Sequence, residues 1–259
     1  MSSIKERVFV IGANGNIDSG VVRGLVKKNI DTTAYVRDEQ KAKDLFKDEL
    51  NVFFFFLLVQ MMINQHSYGK SKKLLGKQGL IGYAHTTAEE KLWALADSNP
   101  EQRSLVVLRP GSFMDNHFRL DMHHVKHSNK LVSCAYPWNT MIWIDTKDIS
   151  DCAVAILSES IEKHDRNVYE MGADSLSNEQ RAAIFSKVLG RPITYEQKSM
   201  EDFYKTCIGF GMSHSLAFNF VSYQMTQKCM NNSPEIALLI NRPSRTLEDW
   251  IKENASAFQ

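Results

Sequence analysis

The chain has 259 residues, with 31 Lys and Arg against 30 Asp and Glu, a formal net charge of +1 and 43% apolar residues. That length fits one large domain, or a nucleotide-binding domain with a smaller lobe, and needs no disulfide or metal staples to bury a core. The balanced charge excludes the usual basic nucleic-acid footprint, and the apolar fraction excludes a disordered chain.

Arg7 to Ile11 is a short apolar run that stops at Gly12. Asp18 to Lys28 has helical spacing, with Val21, Val22, Leu25 and Val26 on one face. Thr32 to Val36 predicts the next strand, Asp38 to Phe46 the next helix, and Val52 to Val59 a strand buried on both faces. Strands alternating with helices predict an α/β fold with a doubly wound parallel sheet. The pattern weakens between Gln60 and Ala84, where a helix around Ser71 to Leu75 and a short strand over Gly79 to Tyr83 are expected. Ala88 to Asp97 predicts a helix, broken at Asn99-Pro100, and Leu105 to Leu108 a strand ending at Arg109-Pro110-Gly111. Asp148 to Leu157 predicts a helix whose apolar face is Ile149, Cys152, Ala153 and Ile156, and Val168 to Met171 a late strand. Ser177-Asn-Glu-Gln180 is a capping box, and Gly190-Arg-Pro192 stops the helix it starts. Beyond Met200 the pattern is helical to Glu253. The expected organisation is a dinucleotide-binding domain over 1–160 and a small, mostly helical C-terminal lobe over 161–259, lying across the sheet's carboxyl edge.

Cys134, Cys152, Cys207 and Cys229 have no Cys-x-x-Cys spacing, so they predict neither a disulfide framework nor a zinc site. They point to a reducing, cytoplasmic setting. The start, Met1-Ser-Ser-Ile-Lys-Glu-Arg, carries charge where a signal peptide needs an apolar run. The most apolar stretch, Val52 to Ile63, has 12 residues. A membrane helix needs about 20, so no membrane association is expected.

Gly12-Ala-Asn-Gly15-Asn-Ile-Asp18 follows the first strand and opens a helix. Gly12 permits the tight turn, Gly15 lets backbone approach a pyrophosphate, and the helix N-terminus supplies N–H groups and positive dipole. The competing reading is a glycine-rich turn with no ligand. The third glycine of the pattern is Asp18, whose charge suits the dipole but opposes a phosphate. At the end of the second strand, a cofactor with a free ribose 2′-OH calls for Asp or Glu. Here Arg37 stands, with Lys41 one helical turn on, so NADP(H) is favoured over NAD(H). A solvated surface arginine is the plainer alternative.

Val8-Phe-Val-Ile-Gly-Ala-Asn-Gly-Asn-Ile17, Tyr35-Val-Arg37 and Ala84-His85 with Ala88-Glu-Glu-Lys-Leu92 together resemble the NmrA-like family of atypical short-chain dehydrogenase/reductase proteins. So do Leu108-Arg-Pro-Gly-Ser-Phe-Met-Asp-Asn116, Trp143-Ile-Asp145 with Asp148-Ile149, Leu189-Gly-Arg-Pro192 and Arg242-Pro-Ser-Arg-Thr-Leu247. The helix at Ala84-His85 is similar to the quinone-reductase branch. The resemblance implies a Rossmann-like sheet, a C-terminal lobe and NADP(H) between them. It implies that Gly12, Asn14, Gly15, Asn16, Ile17 and Arg37 hold the adenine-ribose half of the cofactor. It also implies that Leu58 passes the cofactor's middle and that Pro110, Gly111 and Phe113 lie near the nicotinamide. Family members either sense the nicotinamide redox state and bind protein partners such as transcription factors, or reduce quinones and related carbonyl compounds.

Residues 50–84 do not fit that resemblance. Arg37 to Phe56 is 19 residues, where a strand–helix–strand unit takes about 30. Either elements have been lost or residues are missing from this stretch. The Tyr-x-x-x-Lys pair of ordinary short-chain dehydrogenases occurs only at Tyr68 to Lys72, too early in the chain, and Tyr83 is followed at the fourth position by Thr87. His85 is the remaining acid–base candidate, expected at the strand-to-helix junction by the nicotinamide; the alternative is a His that packs and caps a helix starting at Thr86-Thr87. His117, Asp121, His123 and His127 sit in a segment that reads as a mobile lid on a solvated helix, and no metal site is expected there. Phe203, Phe210, Phe218, Phe220 and Tyr223 read as lobe core, or as the lining of a pocket for a flat substrate. Cys134 and Cys152 read as inert.

Three functions follow. The first is a redox-sensing regulator, nuclear if its partner is, in which cofactor occupancy shifts binding to a protein partner. The second is an NADPH-dependent quinone or carbonyl oxidoreductase. The third is an eroded relative that binds no nucleotide.

Overall fold

The computed structural model describes residues 7–13, 15–36, 46, 80–100, 103–226 and 232–259. Strand β1 (Arg7–Ile11) leads through the glycine turn into helix α1 (Asn16–Lys27), and β2 (Asp31–Tyr35) returns parallel to β1 in register from Arg7↔Asp31 to Ile11↔Tyr35. Helix α1 buries Ile17, Val21, Val22 and Leu25, the stripe its 3.6-residue period sets. The expected helix over 38–46 lies outside the described residues except for Phe46, which is helical and buried in the same core. The expected strand over 52–59 and the helix over 71–75 lie wholly outside them.

Helix α2 (Leu80–Asp97) corrects the expected strand over Gly79 to Tyr83: Leu80 to Tyr83 form the first turn of an 18-residue helix. Its buried positions include Gly82, Thr86, Glu89 and Ala96, a helical repeat of small and polar residues. An apolar pattern could not reveal that face, because its inward residues are not apolar.

Strand β3 (Val107–Pro110) begins two residues later than expected and pairs in parallel with β7 (Val168–Met171), about 60 residues further along the chain. Gly111 then donates its N–H to the Met171 carbonyl at 2.8 Å. Short β4 (Ser112–Phe113) pairs with β6 (Thr140–Ile144), and β6 pairs antiparallel with β8 (Asp174–Ser177). Between them lie α3 (Asn116–Leu120), α4 (Met122–Ser128) and β5 (Lys130–Ser133). Helices α5 (Thr146–Leu157) and α6 (Ile161–His164) precede β7. Ser177 and Gln180 form the expected capping box on α7 (Asn178–Leu189), and Gly190 ends it in the left-handed conformation. Strand β9 (Thr194–Gln197) pairs with β5, followed by α8 (Met200–Gly209), α9 (His214–Thr226), α10 (Glu235–Ile240), α11 (Leu247–Asn254) and a final 3-10 turn (Ala255–Phe258).

Two principal cores result. The first packs β1, β2, α1 and α5 around Val10, Val22, Leu25, Ala34 and Cys152. The second packs the lobe around Leu131, Phe185, Trp250 and Phe258. Strand β6 serves both: Trp143 faces the lobe core and Ile144 faces the first, as alternation along a strand requires. Segments of the C-terminal third cover the carboxyl ends of β3 and β7, through Tyr223 against Ser112 at 3.4 Å and Ser233 N–H to the Gly172 carbonyl at 2.7 Å.

Candidate functional site

The glycine turn has the geometry its sequence predicts. Gly12 has φ +73°, a left-handed backbone that favours glycine, and the N–H of Gly15 closes the turn onto the Gly12 carbonyl at 2.7 Å. Ala13 N–H ties the turn to the end of β2 through the Tyr35 carbonyl at 2.9 Å. The N-cap of α1 is Gly15, in extended conformation, which brings no side chain to the first-turn N–H groups. Asn16 is exposed beside it. Ile17 is buried, and its carbonyl accepts from Ser150 Oγ at 2.8 Å, which fixes the helix start against α5. The N-terminus of a 12-residue helix with glycine at its N-cap, after a left-handed glycine, fits a dinucleotide's phosphates.

Asp18 is the discordant group. Its Oδ2 lies 2.9 Å from where a Cβ on Gly15 would sit and 3.6 Å from the same point on Gly12. Burial raises its carboxyl to about 6, against a smaller lowering by its own backbone N–H. The carboxylate therefore occupies the hollow that the glycines leave, and at neutral pH it carries charge there.

Of the other expected cofactor residues, Asn14, Arg37, Lys41 and Leu58 lie outside the described residues. Pro110 and Gly111 are buried and Phe113 half-buried at the ends of β3 and β4. Gly111 is required by packing: a Cβ there would lie 2.8 Å from both Ile142 Cγ2 and the Ile142 carbonyl oxygen. Arg109 is buried and binds Glu89 on α2 (Nε to Oε2 3.2 Å, Nη2 to Oε1 2.5 Å) and Glu170 on β7 (2.9 Å). This bridge fastens α2 to β3 and β7. Sequence reading missed it because Glu89 looks like an ordinary helix charge.

His85 stands in the second turn of α2, not at a strand-to-helix junction and not at a helix start. It is half-buried, and burial lowers its pKa, so the imidazole is neutral at pH 7.

The expected lid is corrected. His117 and Asp121 are buried at 0% and 3% exposure, with His117 Nδ1 2.5 Å from Asp121 Oδ2. Arg181 from α7 reaches Asp121 at 2.7 Å and lies over the Trp143 ring, its guanidinium carbon 4.7 Å from the centroid. An arginine 60 residues away in sequence supplies the countercharge that lets this segment go inside, which no local pattern announces. His123 and His127 remain exposed, with ring centroids 4.7 Å apart. Burial pushes the Cys134 thiol up to about 11 and the Cys152 thiol to about 12, in keeping with inert cysteines.

The lobe also forms a partly open pocket of about 560 Å³, walled by α3, α4, β5, β6, α7 and the α8–α9 hairpin. Phe203 and Phe220 line it as the pocket reading expects, and so does Phe210, which is otherwise more than half exposed. Phe218 is exposed and is not among the lining residues.

A model of the NmrA-like family matches residues 101–253. The NAD(P)H azoreductase of Xenophilus azovorans is 23% identical over 291 aligned positions, covering 97% of this chain and 99% of that protein. Among solved structures, the NADPH-dependent quinone oxidoreductase of Escherichia coli in complex with NADPH has TM-score 0.72 at 18% identity, over 96% of this chain and 100% of that one. The Citrobacter sp. triphenylmethane reductase complexed with NADP(H) has TM-score 0.72 at 17% identity, over 96% and 99%. These likenesses establish the Rossmann-like α/β fold.

Proposed function

This chain belongs to the NmrA-like family, and from that premise we propose that it is an NADPH-dependent oxidoreductase acting on a flat conjugated acceptor such as a quinone. The observation that carries the reading is the glycine turn: a left-handed Gly12 opening onto a helix N-terminus whose N-cap, Gly15, has no side chain. Relatives named as reductases of azo, quinone and dye compounds support it. In this reading Gly12, Gly15, Asn16 and Ile17 hold the pyrophosphate end and Pro110, Gly111 and Phe113 flank the nicotinamide. Asn14, Lys41 and Leu58 complete the cleft, and Arg37 reads the 2′-phosphate and so favours NADP(H). A reduced nicotinamide supplies hydride when bound. His85, kept neutral by burial, is the chain's own candidate for donating a hydrogen bond to the acceptor oxygen. No helix among the described residues is long and apolar enough to cross a membrane. The buried free thiols of Cys134, Cys152 and Cys207 suit a cytoplasmic setting.

A second reading, the redox-sensing regulator, is favoured by Thr87 standing where a lysine would follow Tyr83. One experiment separates the two. Cofactor-free protein is titrated with NADPH and NADH by calorimetry, and NADPH oxidation is then followed over a quinone panel. Tighter NADPH binding with turnover is the expected outcome. Binding without turnover on any quinone refutes the enzyme and leaves the regulator. No binding of either dinucleotide refutes both.

A further inference from the structure

Strand β4 turns its two side chains to opposite sides. Phe113 packs against the first core, while Ser112 lies in register with Trp143 and shares its lobe-facing side. There the buried Ser112 meets Tyr223 of α9, whose phenol oxygen lies 3.4 Å from Ser112 Oγ. Ser112 directly follows Gly111 at the carboxyl end of β3, the edge where parallel sheets bind ligands. On α9, the spacing of Phe220, Tyr223 and Gln224 puts all three on one side of the helix. Phe220 and Gln224 line the lobe pocket, and Gln224 Oε1 accepts from Ser133 Oγ at 3.1 Å. The pocket wall also includes Asn116, four residues beyond Ser112. The half-buried phenol of Tyr223 therefore stands at the seam between the sheet's carboxyl edge and the pocket.

We propose that Tyr223 is the acid of the reaction, giving its phenolic proton to the reduced acceptor, and that Ser112 holds the phenol in place. This rests on the reductase reading. The quinone takes a hydride from the reduced dinucleotide, which is thereby oxidised, and is left with one negatively charged oxygen. The Tyr223 O–H bond breaks, an O–H bond forms on that oxygen, and the phenolate takes a proton from water to restore the phenol. A phenol suits this transfer. Tyrosine ionises near pH 10, and a hydroquinone monoanion is itself a phenolate of similar basicity, so the proton moves between well-matched oxygens. The Ser112 hydroxyl is too weak an acid to give up its proton, but it can donate a hydrogen bond to the Tyr223 phenolate. A neutral imidazole holds its N–H more tightly than a phenol holds its O–H, so His85 orients the acceptor and Tyr223 supplies the proton. Tyr223 comes 111 residues after Ser112 and from the lobe, so no Tyr-x-x-x-Lys spacing announces it.

Two readouts on the full chain test the assignment. The first is NADPH oxidation with menadione as acceptor. Tyr223→Phe is expected to lower kcat about tenfold or more, with NADPH affinity by calorimetry unchanged. Ser112→Ala keeps the phenol and removes its support, so its loss is expected to be smaller, about threefold. The second readout involves no turnover. Para-nitrophenol is bound with NADP⁺ present, and its visible phenolate band gives the pKa of the bound ligand. A hydrogen bond from Tyr223 to the phenolate oxygen favours the charged form, so Tyr223→Phe should raise that pKa by about one pH unit. A merely structural tyrosine would not move it. Turnover with kcat unchanged in Tyr223→Phe, an unchanged ligand pKa, or no binding of para-nitrophenol to the unaltered chain overturns the proposal and leaves the reductase standing. No turnover by the unaltered chain refutes the reductase and the proposal together. Where Tyr223→Phe fails to fold, the ligand pKa in Ser112→Ala decides: a rise is expected, and none overturns the proposal.

Discussion

Asp18 ties the stability of the fold to the chemistry of the glycine turn. Burial raises its carboxyl from 3.8 to about 6, with its own backbone N–H opposing the shift, and Oδ1 has no partner among the described residues. A rise of this size corresponds to about 3 kcal/mol against folding once the group is ionised. The side chain is only partly buried, so solvent screening reduces the cost to about 1–3 kcal/mol. The sign follows from linkage. Below about pH 3.8 the group is protonated in both folded and unfolded chains and costs nothing; the cost grows as pH rises to about 6 and is constant above that. Asp18→Asn should therefore gain about 1–3 kcal/mol in urea unfolding near pH 7.5 and close to none near pH 4. The same variant should tighten NADPH at neutral pH by about fivefold, the effect of removing roughly 1 kcal/mol of charge repulsion at about 4 Å in water. An equal gain in stability at both pH values would refute the titration argument. Unchanged NADPH affinity would show that the carboxylate does not oppose the pyrophosphate.

Four further outcomes are expected. Arg37→Ala should weaken NADPH much more than NADH in the calorimetric titration; equal loss would remove its assigned role. Arg109→Ala leaves Glu89 buried without its guanidinium partner and should cost about 3–5 kcal/mol in urea unfolding, whereas an exposed ion pair would cost at most about 1. Gly111→Ala forces a methyl to within 2.8 Å of the Ile142 backbone and should lower stability by about 1–3 kcal/mol in thermal unfolding. In the native protein Cys134 and Cys152 should resist a thiol reagent and react only after denaturation, since both are buried and their thiols are raised to about 11 and 12.

The sequence was readable wherever a local rule decides the outcome. The glycine turn follows from Gly12 and Gly15, the start of α7 from Ser177 and Gln180, and its end from Gly190, because each satisfies backbone groups within a few residues. Strands β2 and β7 were readable because they carry β-branched and aromatic residues between clear breaks. Helix α2 was half hidden, since its buried face uses Gly82, Thr86 and Glu89. The inward turn of His117 and Asp121 was fully hidden, because the reason for it is Arg181. A buried ion pair joins residues far apart in sequence, and neither partner alone looks different from a surface charge.

The same physics explains what the motif-like segments do. Asp145 caps α5 by accepting from Lys147 N–H at 2.9 Å and also pairs with Arg245 at 2.5 Å. Asp148, fully buried one turn on, accepts from Arg245 N–H at 2.7 Å and pairs with Arg242 at 2.7 Å. Thus Trp143-Ile-Asp145, Asp148-Ile149 and Arg242-Pro-Ser-Arg245 are one assembly. It anchors the last helix of the lobe to the start of α5, at the end of the strand whose successive residues Trp143 and Ile144 face the two principal cores. A carboxylate buried in this way tolerates neither loss of its arginine nor a shift in register, since either leaves an unpaired charge inside. These residues are therefore read as structural links between the glycine-turn core and the lobe cavity.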